Sequence, residues 1–125
     1  MTENQAEDKN TTKKKFNIIY VDDSKIMVDV VVRIMRSKNV ECLGFDNPLE
    51  ALAYIKDNKP SVLVTDFEMP GMTGVGLIKG ARKTHKDLKA IIYSGSKKPT
   101  GVPKDCQWVD KTNSIDSIIS MAMHL

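Results

Sequence analysis

Acidic residues follow two apolar segments of this sequence at the point where each segment ends. Asp22 and Asp23 come directly after residues 16–21 (FNIIYV), and Asp66 ends residues 61–66 (SVLVTD). An ionised carboxylate at the edge of a core is costly unless a neighbouring charge or hydrogen bond offsets that cost. The spacing therefore raises the question of whether these acids are structural caps or chemical groups.

Three carboxylates brought within a few ångströms of one another repel strongly. At an effective dielectric constant of about 20, each pair of charges 4 Å apart costs roughly 4 kcal/mol. A divalent cation relieves this repulsion, and an all-oxygen ligand set favours Mg²⁺, which also accepts phosphate oxygens.

Asp66 is a candidate nucleophile, because an aspartate carboxylate can form an aspartyl phosphate. Lys111 lies just after the apolar segment CQWV and would neutralise the transferring group together with the metal. Ser94 ends the segment LKAIIYS and would donate a hydrogen bond to the same group. The structural alternative is that Asp66 only caps a turn, although the proline and glycines after it shape a loop rather than a helix start.

Apolar strands alternate with amphipathic helices along the chain. Apolar residues at helical spacing follow Ser24, and Asn47 before Pro48 is a strong helix start. A last helix is capped by Asn113 or Ser114. The predicted strands cover residues 16–21, 40–45, 61–66, 88–94 and 106–109, and the third and last predicted helices cover residues 75–83 and 114–123.

Continuous apolar strands indicate a parallel sheet covered on both faces, and successive βα units predict a doubly wound α/β fold. We expect this domain over residues 16–125, after a disordered polar tail at residues 1–15. In such sheets the site lies at the carboxyl ends of the strands. The three acids, the hydroxyl and the amine should therefore meet at one edge.

The ordered set of motifs resembles the receiver domain of bacterial two-component response regulators, the CheY-like family. The set comprises the pair Asp22-Asp23, the string D-x-x-M-P-x-x-x-G that begins at Asp66, Ser94 within IIYSG, and Lys111 after a strand. The resemblance covers nearly the whole chain outside the tail. It implies a five-stranded parallel sheet of order 2-1-3-4-5.

The resemblance also implies a role for each acid. Asp66 is then the phosphoacceptor, taking a phosphoryl group from a phosphohistidine of a sensor histidine kinase or a histidine phosphotransfer protein. Mg²⁺ is then bound by Asp66, by Asp23 directly, by Asp22 directly or through water, and by the backbone carbonyl of Glu68. The chain itself would be a phosphoacceptor signalling protein rather than an enzyme acting on a separate substrate.

By the same resemblance, Lys111 pairs with the phosphoryl oxygens and Ser94 moves towards them. Trp108 stands three residues before Lys111, where the family usually has a Tyr or Phe that moves inward with the switch residue. A plain packing role for Trp108 stays open. The switch would change the binding of an output protein that the sequence does not identify.

This sequence departs from the family in three places. Lys111 precedes Thr112 instead of proline, so we expect either a trans bond with Lys111 displaced or a strained cis bond costing about 3 kcal/mol. Residues 95–107 (GSKKPTGVPKDCQ) contain two prolines, so the fourth helix of the family should be missing or reduced to a turn. The charge of Glu68, two residues after Asp66, should alter the lifetime of the phosphoryl group.

Composition narrows the class of protein. With 125 residues, 41% hydrophobic and 28% charged, the chain is a single globular domain. It has no apolar run of about 20 residues and no apolar leader, so we expect a cytoplasmic protein without a membrane partner. A net charge of +3 without interleaved aromatic residues argues against nucleic acid as a partner.

Cys42 and Cys106 are expected to be reduced, buried thiols. The end of the chain at Leu125, directly after the last predicted helix, suggests a stand-alone receiver.

Two alternatives remain. A pseudo-receiver would keep the fold for protein binding without being phosphorylated. A haloacid-dehalogenase-like phosphatase would use Glu68 as its acid/base two residues after the nucleophile, but its motifs run in the opposite order along the chain.

Overall fold

The computed structural model describes residues 15–125, so the predicted tail lies, apart from Lys15, outside the described residues. Strands and helices alternate along this part of the chain. The strands are β1 (Asn17–Val21), β2 (Glu41–Phe45), β3 (Val62–Thr65), β4 (Lys89–Ser94) and β5 (Gln107–Asp110), and the helices are α1 (Lys25–Ser37), α2 (Pro48–Asp57), α3 (Gly74–Arg82) and α4 (Ile115–Met123).

The five strands form one parallel sheet in the order β2-β1-β3-β4-β5, which confirms the predicted doubly wound fold. Val21 at the end of β1 pairs with both Phe45 and Thr65, and Ser94 at the end of β4 pairs with Asp110. All the strands therefore end at one edge, where the loops that follow them lie side by side.

Local sequence explains why the helices begin where they do. The side-chain oxygens of Ser24, Asn47 and Ser114 each accept a hydrogen bond from a backbone N–H in the first turn of α1, α2 and α4. Pro48 occupies the first turn of α2, where its missing N–H costs nothing. The predicted strand ends, and the predicted ends of α3 and α4, lie within one residue of those observed.

The sheet separates two hydrophobic cores. The core on the side of α1 and α4, here called the first core, includes the buried side chains of Tyr20 and Tyr93. The core on the side of α2 and α3, the second core, includes Cys106, with Trp108 partly buried against it. Successive side chains along β1 and β4 thus point into opposite cores. Tyr20 and Tyr93, near the ends of these strands, both lie on the side of the first core.

No helix connects β4 to β5 in the described structure, since residues 95–106 form turns, bends and irregular backbone. The prediction of a missing fourth helix is confirmed. Val102 and Cys106 cover the second core in its place. The Arg82 guanidinium of α3 holds this loop through an ion pair with Asp105 (3.1 Å between Nη1 and Oδ1), while it also donates to the carbonyl of Leu88.

Both cysteines are buried free thiols, as predicted. Burial raises the pKa of Cys42 to about 12, which disfavours the reactive thiolate. No helix in the described part of the chain has the length and apolar character needed to cross a bilayer.

Candidate functional site

Strand register places Asp22 and Asp66 next to each other. Each follows the last residue of its strand, and each backbone N–H continues the ladder: Asp22 N–H donates to Phe45 O (3.1 Å), and Asp66 N–H to Val21 O (2.8 Å). The two acids are therefore held by the sheet itself. Asp22 is buried, whereas Asp23, the next residue, is exposed.

The loop after Asp66 closes against the carbonyl of that same residue. A Cβ added to Gly74 would lie 2.3 Å from Asp66 O, an impossible contact, so only glycine fits there. Gly74 N–H donates to Phe67 O (2.7 Å), and the Phe67 N–H donates to Asp66 Oδ1 (2.8 Å). The glycine-flanked loop thus fixes the carboxylate of Asp66 in orientation.

One carboxylate oxygen from each of Asp22, Asp23 and Asp66 lies within 4.8 Å of the other two, so the three acids meet at the sheet edge. Hard oxygen donors in such a cluster suit Mg²⁺, which needs only one or two protein carboxylates and keeps several waters. The residues present therefore fit this ion. The exposed position of Asp23 leaves that side of the cluster open to solvent.

Lys111 reaches into the acidic cluster. Its Nζ lies 2.8 Å from Asp22 Oδ2 and 3.3 Å from Asp66 Oδ2. The peptide bonds of the described residues are all trans, so the bond before Thr112 is the trans one of the two alternatives that the sequence left open. The prediction that Lys111 would be displaced is wrong, because its ammonium group lies within ion-pair distance of both acids.

The electrostatics of the cluster reflect burial of like charges. Burial raises the pKa of Asp66, and the charge of Asp22 adds to this, although Lys111 and the Phe67 amide act in the opposite direction. Burial alone would lower the pKa of Lys111, but its hydrogen bond to Asp22 and the charges of both acids raise it overall. The raised pKa of Lys111 favours its ammonium form, and the raised pKa of Asp66 means that burial and the charge of Asp22 outweigh the opposing effect of Lys111 and the Phe67 amide.

Ser94 and Trp108 border the cluster without joining it. Ser94 is buried, and its Oγ accepts a hydrogen bond from Ser96 N–H (3.1 Å). Trp108 packs against Phe67, the residue next to Asp66, with ring centroids 5.3 Å apart and planes tilted by 51°. Trp108 therefore has a packing contact in this structure. The switching roles of Ser94 and Trp108 stay predictions.

Sequence reasoning missed two polar contacts at this edge. The Tyr20 hydroxyl donates to Asp22 Oδ2 (2.7 Å), and Ser96 Oγ donates to Glu68 Oε1 (3.1 Å). Tyr20 could have been found, since residues two apart on a strand share a face and it precedes Asp22 by two. The contact of Ser96 with Glu68 joins two loops that are distant in sequence, and no local pattern signals it.

The Tyr20 hydroxyl is a dependable donor. Burial, and after it the charge of Asp22, raise the pKa of this phenol, which keeps it protonated. Asp22 consequently accepts hydrogen bonds from Tyr20 and Lys111 on Oδ2, and from Ser24 N–H on Oδ1 (3.0 Å).

Residues 18–106 match the family described as "Response regulator receiver domain". The chain belongs to this receiver domain family. Lys111 lies beyond the matched residues, so its membership of the site rests on the geometry given above.

Curated relatives are similar to this chain over part of their length. The chain is 36% identical over 74 residues to the DNA-binding transcriptional regulator NtrC of Salmonella typhimurium, covering 59% of this chain and 16% of that protein. It is 39% identical over 67 residues to a protein-glutamate methylesterase/protein-glutamine glutaminase of Albidiferax ferrireducens, covering 52% of this chain and 18% of that protein. The chain thus spans less than a fifth of either relative.

Solved structures share the fold. A DNA-binding response regulator of the LuxR family from Staphylococcus aureus has a TM-score of 0.75 at 28% identity, with 88% of this chain and 97% of that chain covered. The response regulator protein TrrA from Thermotoga maritima, in complex with Mg(2+)-BeF, has a TM-score of 0.80 at 21% identity, with 88% and 98% covered. The receiver fold therefore extends over nearly the full length of those chains.

Proposed function

We propose that this receiver domain accepts a phosphoryl group on Asp66 from a phosphohistidine donor, in a Mg²⁺-dependent reaction, and thereby switches the binding of a partner. The observation that carries the proposal is the position of Lys111 Nζ, 3.3 Å from Asp66 Oδ2 at the rim of a three-carboxylate cluster. A cation beside the nucleophile is what a transferring phosphoryl group needs.

In the proposed transfer, a carboxylate oxygen of Asp66 attacks phosphorus while the bond from phosphorus to the histidine nitrogen breaks. The nitrogen keeps the bonding electron pair, and an aspartyl phosphate forms. The Phe67 N–H holds Oδ1 of Asp66, which leaves Oδ2, on the Lys111 side, as the oxygen we assign to the attack. Hydrolysis by water later returns inorganic phosphate and the free carboxylate.

Asp22, Asp23, Asp66 and the backbone carbonyl of Glu68 would hold Mg²⁺. When bound, the ion supplies positive charge to the phosphoryl oxygens and relieves the repulsion among the acids. Lys111 contributes the remaining positive charge. Asp23 is the exposed acid of the cluster and is the one best placed to meet an ion arriving from solvent.

The readout we propose is a two-state change in which Ser94 moves towards the phosphoryl oxygens. Its Oγ would leave Ser96 N–H, and Trp108 would adjust its packing on Phe67. The donor would be a sensor histidine kinase or a histidine phosphotransfer protein in the cytoplasm. The output protein is a partner whose binding depends on this change.

The test is Mg²⁺-dependent uptake of a phosphoryl group from a small phosphoramidate donor, followed by intact mass, with Trp108 as the single fluorescent tryptophan. Wild type should gain one phosphoryl group, and Asp66→Asn should gain none. Asp57→Asn, an exposed position in α2, is the matched control and should behave as wild type. Folded wild type that binds Mg²⁺ but takes no phosphoryl group from this donor or from histidine-phosphorylated donors would reject the proposal in favour of a pseudo-receiver.

A further inference from the structure

The Tyr93 hydroxyl contacts the loop that carries Lys111, at the carbonyls of Lys111 and Asn113. We infer that this hydroxyl is a positioning group, which holds the Lys111 loop so that the ammonium group reaches the acids. This inference rests on the proposed function, because it assigns the origin of the geometry that the phosphoryl transfer needs.

Tyr93 spans the distance from the first core to the loop between β5 and α4. Its side chain is buried in β4, one residue before Ser94. Its hydroxyl donates to Asn113 O at 2.6 Å and lies 3.4 Å from Lys111 O. A single rigid phenol therefore contacts the carbonyls on both sides of Thr112, and a ring fixed by core packing loses little entropy in doing so.

Backbone contacts fix the start of the same loop. Lys111 N–H donates to Ser94 O (3.0 Å), which prolongs the pairing of β4 with β5 by one residue. The carboxylate of Asp110 accepts from Thr112 N–H (2.8 Å), and Asp110 O accepts from Asn113 N–H (2.9 Å). Asp110 thus forms a tight turn, and the Tyr93 hydroxyl ties the far side of that turn to the core.

The residue after Lys111 does not supply this constraint. Thr112 is exposed, and its trans peptide bond leaves the direction of the loop to the surrounding contacts. The Lys111 side chain must still extend from this loop to Asp22 and Asp66, where its Nζ is found at 2.8 and 3.3 Å. Lys111 itself contacts the buried residues Ser94 and Asp22, whereas the Tyr93 hydroxyl joins the far side of the turn, at Asn113, to a side chain of the first core.

The experiment compares Tyr93→Phe with wild type. The substitution removes one oxygen and keeps the ring in the core, so the fold should persist. Beryllofluoride affinity at saturating Mg²⁺, followed by Trp108 fluorescence, should fall roughly three- to tenfold, the effect of about one hydrogen bond. Mg²⁺ affinity should not fall and should rise slightly, because a displaced Lys111 neutralises Asp22 and Asp66 less well. Tyr54→Phe, a half-exposed tyrosine of α2, is the matched control and should equal wild type in both titrations.

A double-mutant cycle tests whether the Tyr93 hydroxyl acts by positioning Lys111 or by stabilising the protein in general. In the Lys111→Met background, Tyr93→Phe should cause no further loss of beryllofluoride affinity, because it acts through the lysine. Amide hydrogen exchange in metal-free protein provides a readout that needs no ligand. The amides of Thr112 and Asn113 should exchange faster in Tyr93→Phe, while those of β1 and β3 stay as in wild type.

The outcomes distinguish this inference from the proposed function. Wild type that binds no beryllofluoride overturns both. Wild type that binds, together with a Tyr93→Phe protein of equal affinity and equal exchange at Thr112 and Asn113, overturns the role of Tyr93 alone. An equal loss of affinity with and without Lys111 also overturns it, since the hydroxyl would then act on the fold as a whole.

Discussion

The hydroxyl of Tyr20 donates a 2.7 Å hydrogen bond to Oδ2 of Asp22, so a core side chain of β1 ends on the most buried acid of the site. Lys111 contacts the same oxygen. A buried carboxylate needs such donors, because an unsatisfied one would carry a large desolvation cost. The acid is thus fixed in orientation before any ligand arrives.

Replacing Tyr20 with Phe should weaken Mg²⁺ binding by about tenfold, because partners that orient a metal-binding carboxylate typically contribute that much. The free energy of unfolding should also fall by about 1–2 kcal/mol, since the buried carboxylate of Asp22 loses one of its donors. Trp108 fluorescence titration with Mg²⁺ and urea unfolding measure the two effects. Tyr54→Phe serves as control, and unchanged Mg²⁺ affinity in Tyr20→Phe would show that Asp22 needs no orienting phenol.

Replacing Lys111 with Met should separate metal binding from phosphoryl binding. Loss of the ammonium leaves Asp22 and Asp66 with uncompensated negative charge, so Mg²⁺ should bind more tightly while the rate of phosphorylation falls at least tenfold. Metal-free protein should be less stable, and saturating Mg²⁺ should restore part of the stability by mass action. Calorimetric Mg²⁺ titration decides the point, and weaker Mg²⁺ binding would contradict the electrostatic argument.

Replacing Gly74 with Ala should destabilise the protein by about 2–3 kcal/mol, because the new Cβ would overlap the backbone oxygen of Asp66 and backbone atoms cannot yield as side chains do. The matched control is Gly76→Ala two residues later in α3, where the nearest atom is 3.4 Å away. That variant should be neutral or stabilised by up to about 1 kcal/mol. Equal stabilities for the two variants in urea unfolding would refute the close approach.

Stability should depend on the ionisation of Asp66. Because its pKa is raised in the native state, the native protein binds a proton more readily than the unfolded chain does. The free energy of unfolding therefore falls as pH rises from the ordinary aspartate value through the raised native one. In a chelating buffer at pH 7, Asp66→Asn should be more stable than wild type, and the difference should shrink as pH falls towards about 4.

Urea unfolding at several pH values measures this pH dependence of the free energy of unfolding. It compares wild type with Asp66→Asn and with the control Asp57→Asn. The control should track wild type throughout. An Asp66→Asn protein less stable than wild type at pH 7 would mean that the ion pair with Lys111 outweighs burial and the charge of Asp22.

Most of the fold was predictable because its signals are local. Apolar runs set the strands, and Ser24 and Asn47 cap helices as their sequence context indicated. The clustering of Asp22 with Asp66 also followed, since parallel strands must end at a common edge. These inferences need only neighbouring residues and the topology.

The parts that sequence reasoning missed depend on contacts between distant residues. The displacement expected for Lys111 was inferred from the next residue alone, whereas the contact that ties its loop to the core comes from Tyr93, twenty positions before Asn113. The pairing of Ser96 with Glu68 likewise joins two loops. A sequence pattern cannot show which buried hydroxyl reaches which carbonyl.

Tyr20 and Tyr93 belong to the same core, between the sheet and helices α1 and α4, and both end in hydroxyl groups at the sheet edge. The packing of the hydrophobic core therefore sets the positions of two hydroxyl groups at the polar site. A cavity created deep in that core, far from any acid, would let both phenol rings shift and would change their hydrogen bonds to Asp22 and Asn113. Core substitutions can in this way alter the geometry of the site without touching it.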